Sequence, residues 1–238
     1  MRIALLGYGK MGKAIEKVAL ERGHEVVFKI DLNNADEKQN INKENVDVVI
    51  EFSSPHSAYS NLEFCMKKGL KTVCGTTGWL DSRLEIEQLC QTNGAGFFYA
   101  SNYSIGVNLF FKINELLAKL MAPHSQYEIF TSEIHHTEKL DAPSGTAITI
   151  AEGIMKNYDS KKKWVNNQIA AKDELAIWSS REGKIPGTHA VKYISEIDEI
   201  EIKHTAYTRM GFALGAVLAA EWINDKVGVY GMNDLLSM

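Results

Sequence analysis

The chain has 238 residues, of which 45% are apolar and 24% charged, and its 26 Lys and Arg against 30 Asp and Glu give a net charge of −4. This composition excludes a disordered chain, a collagen-like chain and a small disulfide scaffold. The acidic balance argues against broad binding to nucleic acid or to an anionic membrane. The length suits one large domain or two small ones.

Three cysteines, Cys65, Cys74 and Cys90, form no C-x-x-C motif. An odd number of cysteines without such spacing predicts buried free thiols in a reducing compartment. Residues 1–7 become polar too soon for a signal peptide. No apolar run approaches the roughly 20 residues of a membrane span, so we expect a cytoplasmic protein.

The first hundred residues alternate short apolar runs with helical patterns. The apolar runs predict strands at residues 2–6, 25–30, 46–52, 70–74 and 96–101. Amphipathic patterns predict helices at residues 10–22, 57–68 and 81–91. The link of residues 32–45 leaves little room for a full helix. This alternation predicts a parallel sheet covered on both faces.

The pattern changes in the second half of the chain. Residues 107–121 form a helical pattern with one apolar stripe, made of Leu109, Phe110, Ile113, Leu116, Leu117 and Leu120. Further strands are predicted at residues 127–135, 175–180, 189–195 and 199–207, and helices at 144–156 and 212–224. Residues 161–163 predict a solvated lysine loop. Strands that follow one another without helices predict a mixed or antiparallel sheet in a second domain inserted near residues 105–211.

A glycine motif follows the first predicted strand and opens the first helix. Gly7-Tyr8-Gly9-Lys10-Met11-Gly12 has the pattern G-x-G-x-x-G, and Asp31 lies 19 residues beyond Gly12 at the end of the second strand. This context is that of a dinucleotide-binding turn. Gly7 allows the tight turn, Gly9 lets the backbone approach a pyrophosphate, and Gly12 lets the helix pack close to the strand. Asp31 can accept a hydrogen bond from a ribose hydroxyl.

Leu32 follows Asp31, where a cation would be needed for a 2′-phosphate. Because Asp31 would repel that phosphate, we expect NADH to bind at least as well as NADPH. Lys29 and Lys10 are near enough in sequence to keep NADPH open as an alternative cofactor.

Two polar loops follow the fourth and fifth predicted strands, Gly75-Thr76-Thr77-Gly78 and Ala100-Ser101-Asn102-Tyr103. Ligands of open α/β sheets bind outside the carboxyl ends of the strands. These loops could therefore hold a nicotinamide and its ribose, although each by itself is also typical of an ordinary polar turn.

The stretch from Glu133 to Ala147 contains the most reactive side chains. His135 and His136 lie at the end of a predicted strand, where adjacent side chains would point to opposite faces, and Lys139 follows. Ser144 is a natural N-cap for the next helix, and a helix N-terminus beside His and Lys suits a carboxylate. The spacing offers no H-x₃-H or cysteine set for zinc, so no metal site is predicted.

The stretch E-x-H-H-x-x-K-x-D-A-P-S-G-T-A resembles the signature of the bacterial 4-hydroxy-tetrahydrodipicolinate (dihydrodipicolinate) reductase family. The segments GYGKMG, GTTG, ASNYSIGVN, SSREG followed by PGTH, and HTAYTRMGFALGA extend the resemblance over nearly the whole chain. The resemblance implies an α/β fold: an N-terminal Rossmann-type dinucleotide-binding domain, residues 1–104 plus 212–238, with an inserted α+β substrate and oligomerisation domain, residues 105–211. It also implies a homotetramer and NAD(P)H-dependent reduction of a small cyclic imine dicarboxylate on the diaminopimelate route to lysine.

The resemblance further assigns roles to individual residues. It implies that His135 and Lys139 are catalytic proton donors and that His136 binds substrate, with the backbone of Gly145 and Thr146 gripping a carboxylate. The implied cofactor contacts are Gly7, Tyr8, Gly9, Lys10, Met11, Gly12, Asp31, Gly75, Thr76, Thr77, Ala100, Ser101, Asn102 and Tyr103. Leu32 departs from the basic residue that often stands in the family.

Two other functions remain open on the sequence. One is a different two-domain NAD(P)-dependent oxidoreductase, such as an amino-acid or sugar dehydrogenase. The other is a regulatory protein that binds NADH without turnover, which would predict a degraded second site. The intact His135, His136 and Lys139 favour the reductase.

Overall fold

The computed structural model describes residues 1–237, which divide into two units. The first unit comprises Met1–Ile105 and the C-terminal segment from Met210 onward, and the second comprises Gly106–Arg209. No helix among the described residues is both long and apolar enough to cross a membrane.

The helices and strands follow the predicted order. The strands are β1 (Arg2–Leu6), β2 (Glu25–Ile30), β3 (Val48–Glu51), β4 (Lys71–Cys74), β5 (Gly96–Tyr99), β6 (Glu128–His135), β7 (Lys163–Val165), β8 (Glu174–Arg181), β9 (Gly187–Ile194), β10 (Glu199–Ala206) and β11 (Gly228–Tyr230). The α-helices are α1 (Lys10–Glu21), α2 (Pro55–Lys67), α3 (Arg83–Thr92), α4 (Ile105–Met121), α5 (Gly145–Met155), α6 (Met210–Ile223) and α7 (Met232–Leu235). The short link after β2 holds only a 3₁₀ helix, Ala35–Asn40, as its length predicts.

The first unit is built on a six-stranded parallel sheet in the order β11-β5-β4-β3-β1-β2. The chain moves outward from β1 to β2 and then returns to build the other side from β3. The loop after β1 therefore lies at the switch point of strand order, where such sheets bind ligands.

Both faces of this sheet are buried, as the sequence predicts. Along β1, Ile3 and Leu5 pack into a cluster with residues of α1 and α6, while Ala4 and Leu6 pack into a second cluster with residues of α2 and α3. The three cysteines are free and buried, and burial raises the pKa of the Cys65 thiol to about 12.

The second unit has a five-stranded mixed sheet in the order β10-β9-β6-β8-β7. β6, β9 and β10 pair antiparallel, whereas β6, β8 and β7 pair parallel. Apolar residues of α4 and α5, including Phe110 and Ile150, pack on one face of this sheet around Tyr193. A mixed or antiparallel sheet was predicted for this unit, and the structure shows a mixed one.

Some local expectations are wrong. Within the apolar stripe of α4, Phe110 is buried, but Leu109, Ile113, Leu116 and Leu120 are between 43% and 61% exposed. Lys163 begins the edge strand β7 rather than ending a loop. The short elements β11 and α7 were not predicted, because three or four residues are too few to show a periodicity.

The packing of α6 yields a test of the fold. A Cβ at Gly215 would overlap the backbone carbonyl of Tyr103, whereas a Cβ at Gly211 of the same helix has only ordinary contact, 3.8 Å from the Ser104 hydroxyl. We expect Gly215→Ala to lower the free energy of unfolding by about 2 kcal/mol or more. Gly211→Ala should be neutral or slightly stabilising. Urea unfolding followed by circular dichroism measures both, and equal stabilities would contradict this packing.

Candidate active site

The glycine turn after β1 is shaped by backbone contact. Gly7 has a φ of +99°, and a Cβ there would overlap the carbonyl group of Phe52. A Cβ at Gly12 would overlap the carbonyl oxygen of Gly7, so the third glycine brings α1 against the turn. At Gly9 no atom lies within 4 Å of the Cβ position. The turn thus leaves open space in front of the first amides of α1, which fits a pyrophosphate.

A cavity of about 420 Å³ lies beside this turn in the first unit. Its lining comes from the glycine turn, the segment after β2, the segment after β3 and α2, and includes Gly7, Tyr8, Gly9, Asp31, Leu32, Asn33, Lys38, Phe52, Ser53, Ser54, Ser57 and Asn61. The serines after β3 were not predicted. The signal available for them was a polar Ser-Ser-Pro directly after a buried strand, at the same sheet edge as the glycine turn.

The charges around this cavity bear on the choice of cofactor. Lys29 donates a hydrogen bond to Glu16 at 2.7 Å, and the Tyr8 hydroxyl donates to the other oxygen of the same carboxylate. This hydrogen bond raises the pKa of Lys29. Among the described lining residues, Lys38 carries the positive charge, and its Nζ donates to Asn61 Oδ1 at 2.9 Å. Neither of the two lysines singled out in the sequence lines this cavity.

A second cavity, of about 350 Å³, brings together two of the predicted cofactor loops. Gly9, Lys10 and Met11 line one part, and Gly75, Thr76 and Thr77 line another. A Cβ at Gly75 would overlap the ring of Phe52. The Thr76 hydroxyl accepts a hydrogen bond from the Ser53 amide at 2.8 Å, which ties the loops after β3 and β4 together.

The third predicted loop, residues 100–103, does not line either cavity. The ring of Tyr103 is buried, and its hydroxyl donates to the Cys74 carbonyl at 2.7 Å. Asn102 Oδ1 accepts from the Ser104 amide at 2.9 Å. The side chain of Tyr103 therefore supports the loop after β4, and the cofactor role of this segment stays a prediction.

In the second unit, β6 separates the two histidines as expected. Glu133 and His135 point to the buried face of the strand, and His136 follows the strand with a half-buried side chain. Ser144 caps α5, because its Oγ accepts a hydrogen bond from the Ala147 amide at 3.2 Å. The N-terminus of α5 thereby lies against the buried face of β6.

Glu133 is almost fully buried and joins these groups. Its Oε1 accepts hydrogen bonds from the Ser144 amide at 3.0 Å and from Arg181 Nη2 at 3.2 Å. Its Oε2 lies 3.1 Å from His135 Nδ1, an ion-pair distance without the alignment of a linear hydrogen bond, and 3.8 Å from His189 Nε2. Burial alone would raise the pKa of Glu133, but His135 and Ser144 outweigh burial and hold that pKa well below its usual range.

His189, on the neighbouring strand β9, packs edge-on against His135 with ring centroids 5.1 Å apart. Burial and the neighbouring His135 lower the pKa of His189 to about 3, so its ring is neutral at pH 7. His189 Nε2 lies 3.3 Å from the Ser144 hydroxyl. Sequence reasoning missed Glu133, Arg181 and His189, although Glu133 stands two residues before His135 and therefore shares its face.

Glu133, His135 and His189 bring one carboxylate oxygen and two imidazole nitrogens within 4.8 Å of one another, a grouping that could hold a metal ion. Spacing along the sequence could not show it, because His189 comes from another strand. The Arg181 guanidinium on the same carboxylate opposes a second cation there. The absence of a metal site stays a prediction.

Lys139 lies in the loop between β6 and α5. Its Nζ is 2.7 and 2.8 Å from the two carboxylate oxygens of Asp141, and its carbonyl accepts from Arg181 Nε at 3.3 Å. Gly145 and Thr146 form the first turn of α5, and no atom lies within 4 Å of the Cβ position of Gly145. The backbone of this first turn is therefore accessible.

His136 lines a separate cavity of about 510 Å³ in the second unit, together with Thr137, Glu138, Gly183, Lys184, Pro186 and Arg209. Lys184 and Arg209 were not singled out from the sequence. Their positive charges beside an imidazole suit an anionic ligand. Gly145 and Thr146 do not line this cavity.

A parallel sheet with this strand order and glycine turn defines the class of protein: one with a Rossmann-type dinucleotide-binding unit, joined here to a second unit that has a mixed sheet. The chain belongs to the dihydrodipicolinate reductase family. Residues 1–103 match the domain described as "Dihydrodipicolinate reductase, N-terminus", and residues 106–236 match "Dihydrodipicolinate reductase, C-terminus".

Individual relatives agree with this assignment. A 4-hydroxy-tetrahydrodipicolinate reductase of Christiangramia forsetii is 47% identical over 237 residues, covering 100% of this chain and 98% of the relative. One from Archaeoglobus fulgidus is 34% identical, covering 99% and 100%. A dipicolinate-bound dihydrodipicolinate reductase from Paenisporosarcina sp. TG-14 superposes with a TM-score of 0.79 at 25% identity over 98% of each chain. The family resemblance seen in the sequence is confirmed.

Proposed function

We propose that this chain catalyses the NAD(P)H-dependent reduction of 4-hydroxy-tetrahydrodipicolinate in diaminopimelate and lysine biosynthesis. The observation that carries the proposal is the match over the full chain to two 4-hydroxy-tetrahydrodipicolinate reductases. In this chain, Glu133, His135 and the N-terminus of α5 also meet in one buried cluster. A regulatory protein that binds NADH without turnover would have no need for this cluster.

The substrate of this reaction is a cyclic imine with two carboxylates. The accessible backbone amides of Gly145 and Thr146, at the positive end of α5, suit one carboxylate. His136, beside Lys184 and Arg209, adds further positive and hydrogen-bonding groups that attract an anion.

When bound, the reduced nicotinamide supplies a hydride to the conjugated ring. The chain must then protonate the carbanion-like enamine that results. His135 suits this task, because imidazole is the side chain most often used as a general acid near neutral pH and its Nδ1 lies 3.1 Å from Glu133 Oε2, which fixes one side of the ring. Lys139, held by Asp141, is the second proton donor in this proposal.

Substitutions of the acid residues test this proposal. We expect His135→Ala and Lys139→Ala each to lower kcat by roughly 10²–10⁴-fold, with little change in NADH affinity. The two losses should not add, because both residues serve one protonation step. His136→Ala should mainly raise KM.

The measurement is absorbance loss of NADH with substrate supplied by the preceding synthase, and NADH binding is followed by fluorescence. The exposed residues His124 and Lys172, replaced by Ala, are matched controls. Near wild-type kcat in both acid variants would show that another residue or solvent supplies the proton. No turnover in the wild type alongside tight NADH binding would favour the regulatory alternative.

For the cofactor, we propose that NADH serves at least as well as NADPH. Leu32 is uncharged and 93% exposed beside Asp31, and Lys29 is already engaged by Glu16. The expected result is a kcat/KM with NADH that equals or exceeds that with NADPH. A tenfold preference for NADPH, about 1.4 kcal/mol, would contradict this, and Lys38→Ala would then show whether Lys38 supplies the missing cation.

We also propose a homotetramer. The open face of the second sheet carries a Phe130–Trp178 pair, with ring centroids 6.3 Å apart and Trp178 41% exposed, and β10 is an unpaired edge. Apolar sheet faces and free edges favour association with another chain.

The reducing conditions implied by the free thiols support a cytoplasmic location.

Light scattering should give a mass near four times 26.6 kDa. Trp178→Glu should shift the protein to smaller species because it places a charge in the proposed interface. Ile197→Glu, in an exposed turn at the end of the sheet, should not. A wild-type monomer at micromolar concentration would refute the assembly.

A further inference from the structure

His135 is flanked on one side by a carboxylate whose position is fixed. Glu133 Oε1 is held by the Ser144 amide and by Arg181, so Oε2 has little freedom to move away from His135 Nδ1. Of the two imidazole nitrogens, Nδ1 is therefore the one that faces the negative charge.

The other side of the ring lies over a residue without a side chain. A Cβ at Gly187 would come 2.9 Å from His135 Nε2 and 3.2 Å from Cδ2. The register pairs Ile134 with Thr188, so Gly187 stands beside His135 on the neighbouring strand. The φ of Gly187 is not in the left-handed region, so the backbone conformation does not require glycine at this position. Glycine is required because a side chain would occupy the space of the His135 ring.

Other charged and titratable groups surround this cluster. His189 of β9 packs on the His135 ring, Arg181 of β8 binds Glu133, and Lys139 and His204 act electrostatically on His189. Glu133 Oε2 lies 3.1 Å from His135 Nδ1 but 3.8 Å from His189 Nε2, so His135 is the imidazole closer to the carboxylate.

We propose that Glu133 and Gly187 are positioning residues that orient His135 for proton transfer, an inference that rests on the proposed function. Glu133 Oε2, 3.1 Å from Nδ1, keeps that nitrogen on the side of the carboxylate, and the space over Gly187 leaves room for the ring with Nε2 turned away from the carboxylate. When the reduced ring takes its proton, the Nε2–H bond breaks and a C–H bond forms on the enamine carbon. The imidazole is left neutral with its remaining proton on Nδ1, and solvent restores the proton on Nε2.

The first test removes the charge and keeps the shape. Glu133→Gln should lower kcat by about 10- to 100-fold, with KM and NADH affinity near their wild-type values. Glu128→Gln, an exposed position on the same strand, is the matched control.

The second test fills the space. Gly187→Ala should lower kcat at least tenfold by displacing the ring. In a His135→Ala background, where no ring remains to be displaced, neither Gly187→Ala nor Glu133→Gln should lower kcat further.

Losses that add fully in the His135→Ala background, or a Glu133→Gln variant that keeps the wild-type kcat, would overturn the positioning role. If His135→Ala itself kept wild-type kcat, the acid assignment under the proposed function would fail instead, so the two failures are distinguishable. Circular dichroism and NADH binding identify any variant that has lost its fold. If Glu133→Gln has lost its fold, Glu133→Asp replaces it in the test. Because the shorter side chain draws the carboxylate back from His135 Nδ1, it should lower kcat with KM unchanged, and a wild-type kcat would count against the proposal.

Discussion

A buried carboxylate organises the second unit. Removing a charge from water costs several kcal/mol unless partners replace the lost hydration. Glu133 obtains those partners from His135 on its own strand, from Arg181 on β8, from His189 on β9 and from the amide of Ser144, the N-cap of α5. The pairing of three strands and the placement of one helix therefore converge on one anion. His135, the N-terminus of α5 and Arg181 are brought together by the same requirement.

The first unit depends on close backbone approach rather than on charge. Gly7 fits against the carbonyl of Phe52, Gly12 fits against Gly7, and Gly75 fits against the ring of Phe52. The loops after β1, β3 and β4 can meet at the switch point of the sheet only because these positions lack a side chain. The open space at Gly9 is the part of this arrangement that a ligand can use.

Local patterns were sufficient to predict the framework of the fold. The parallel sheet covered on both faces, the glycine turn with Asp31 and the Ser144 cap all depend on periodicity or on residues close in sequence. Elements of three or four residues, such as β11, carry too little pattern to be recognised. The exposed stripe on α4 looked like a core-facing stripe, because periodicity shows that a helix has an apolar face but not what covers that face.

The sequence by itself determined the class of fold, the family and the residue types that carry the chemistry. Only the tertiary structure decided which of those residues meet. In the structure, Lys29 forms an ion pair with Glu16, Lys38 lines the cavity beside the glycine turn together with Asp31, and the ring of Tyr103 is buried. The tertiary structure also set His189 and Gly187 beside His135. These contacts join residues up to 54 positions apart in the sequence, and the register of neighbouring strands that creates them has no signal in the spacing of residues along the chain.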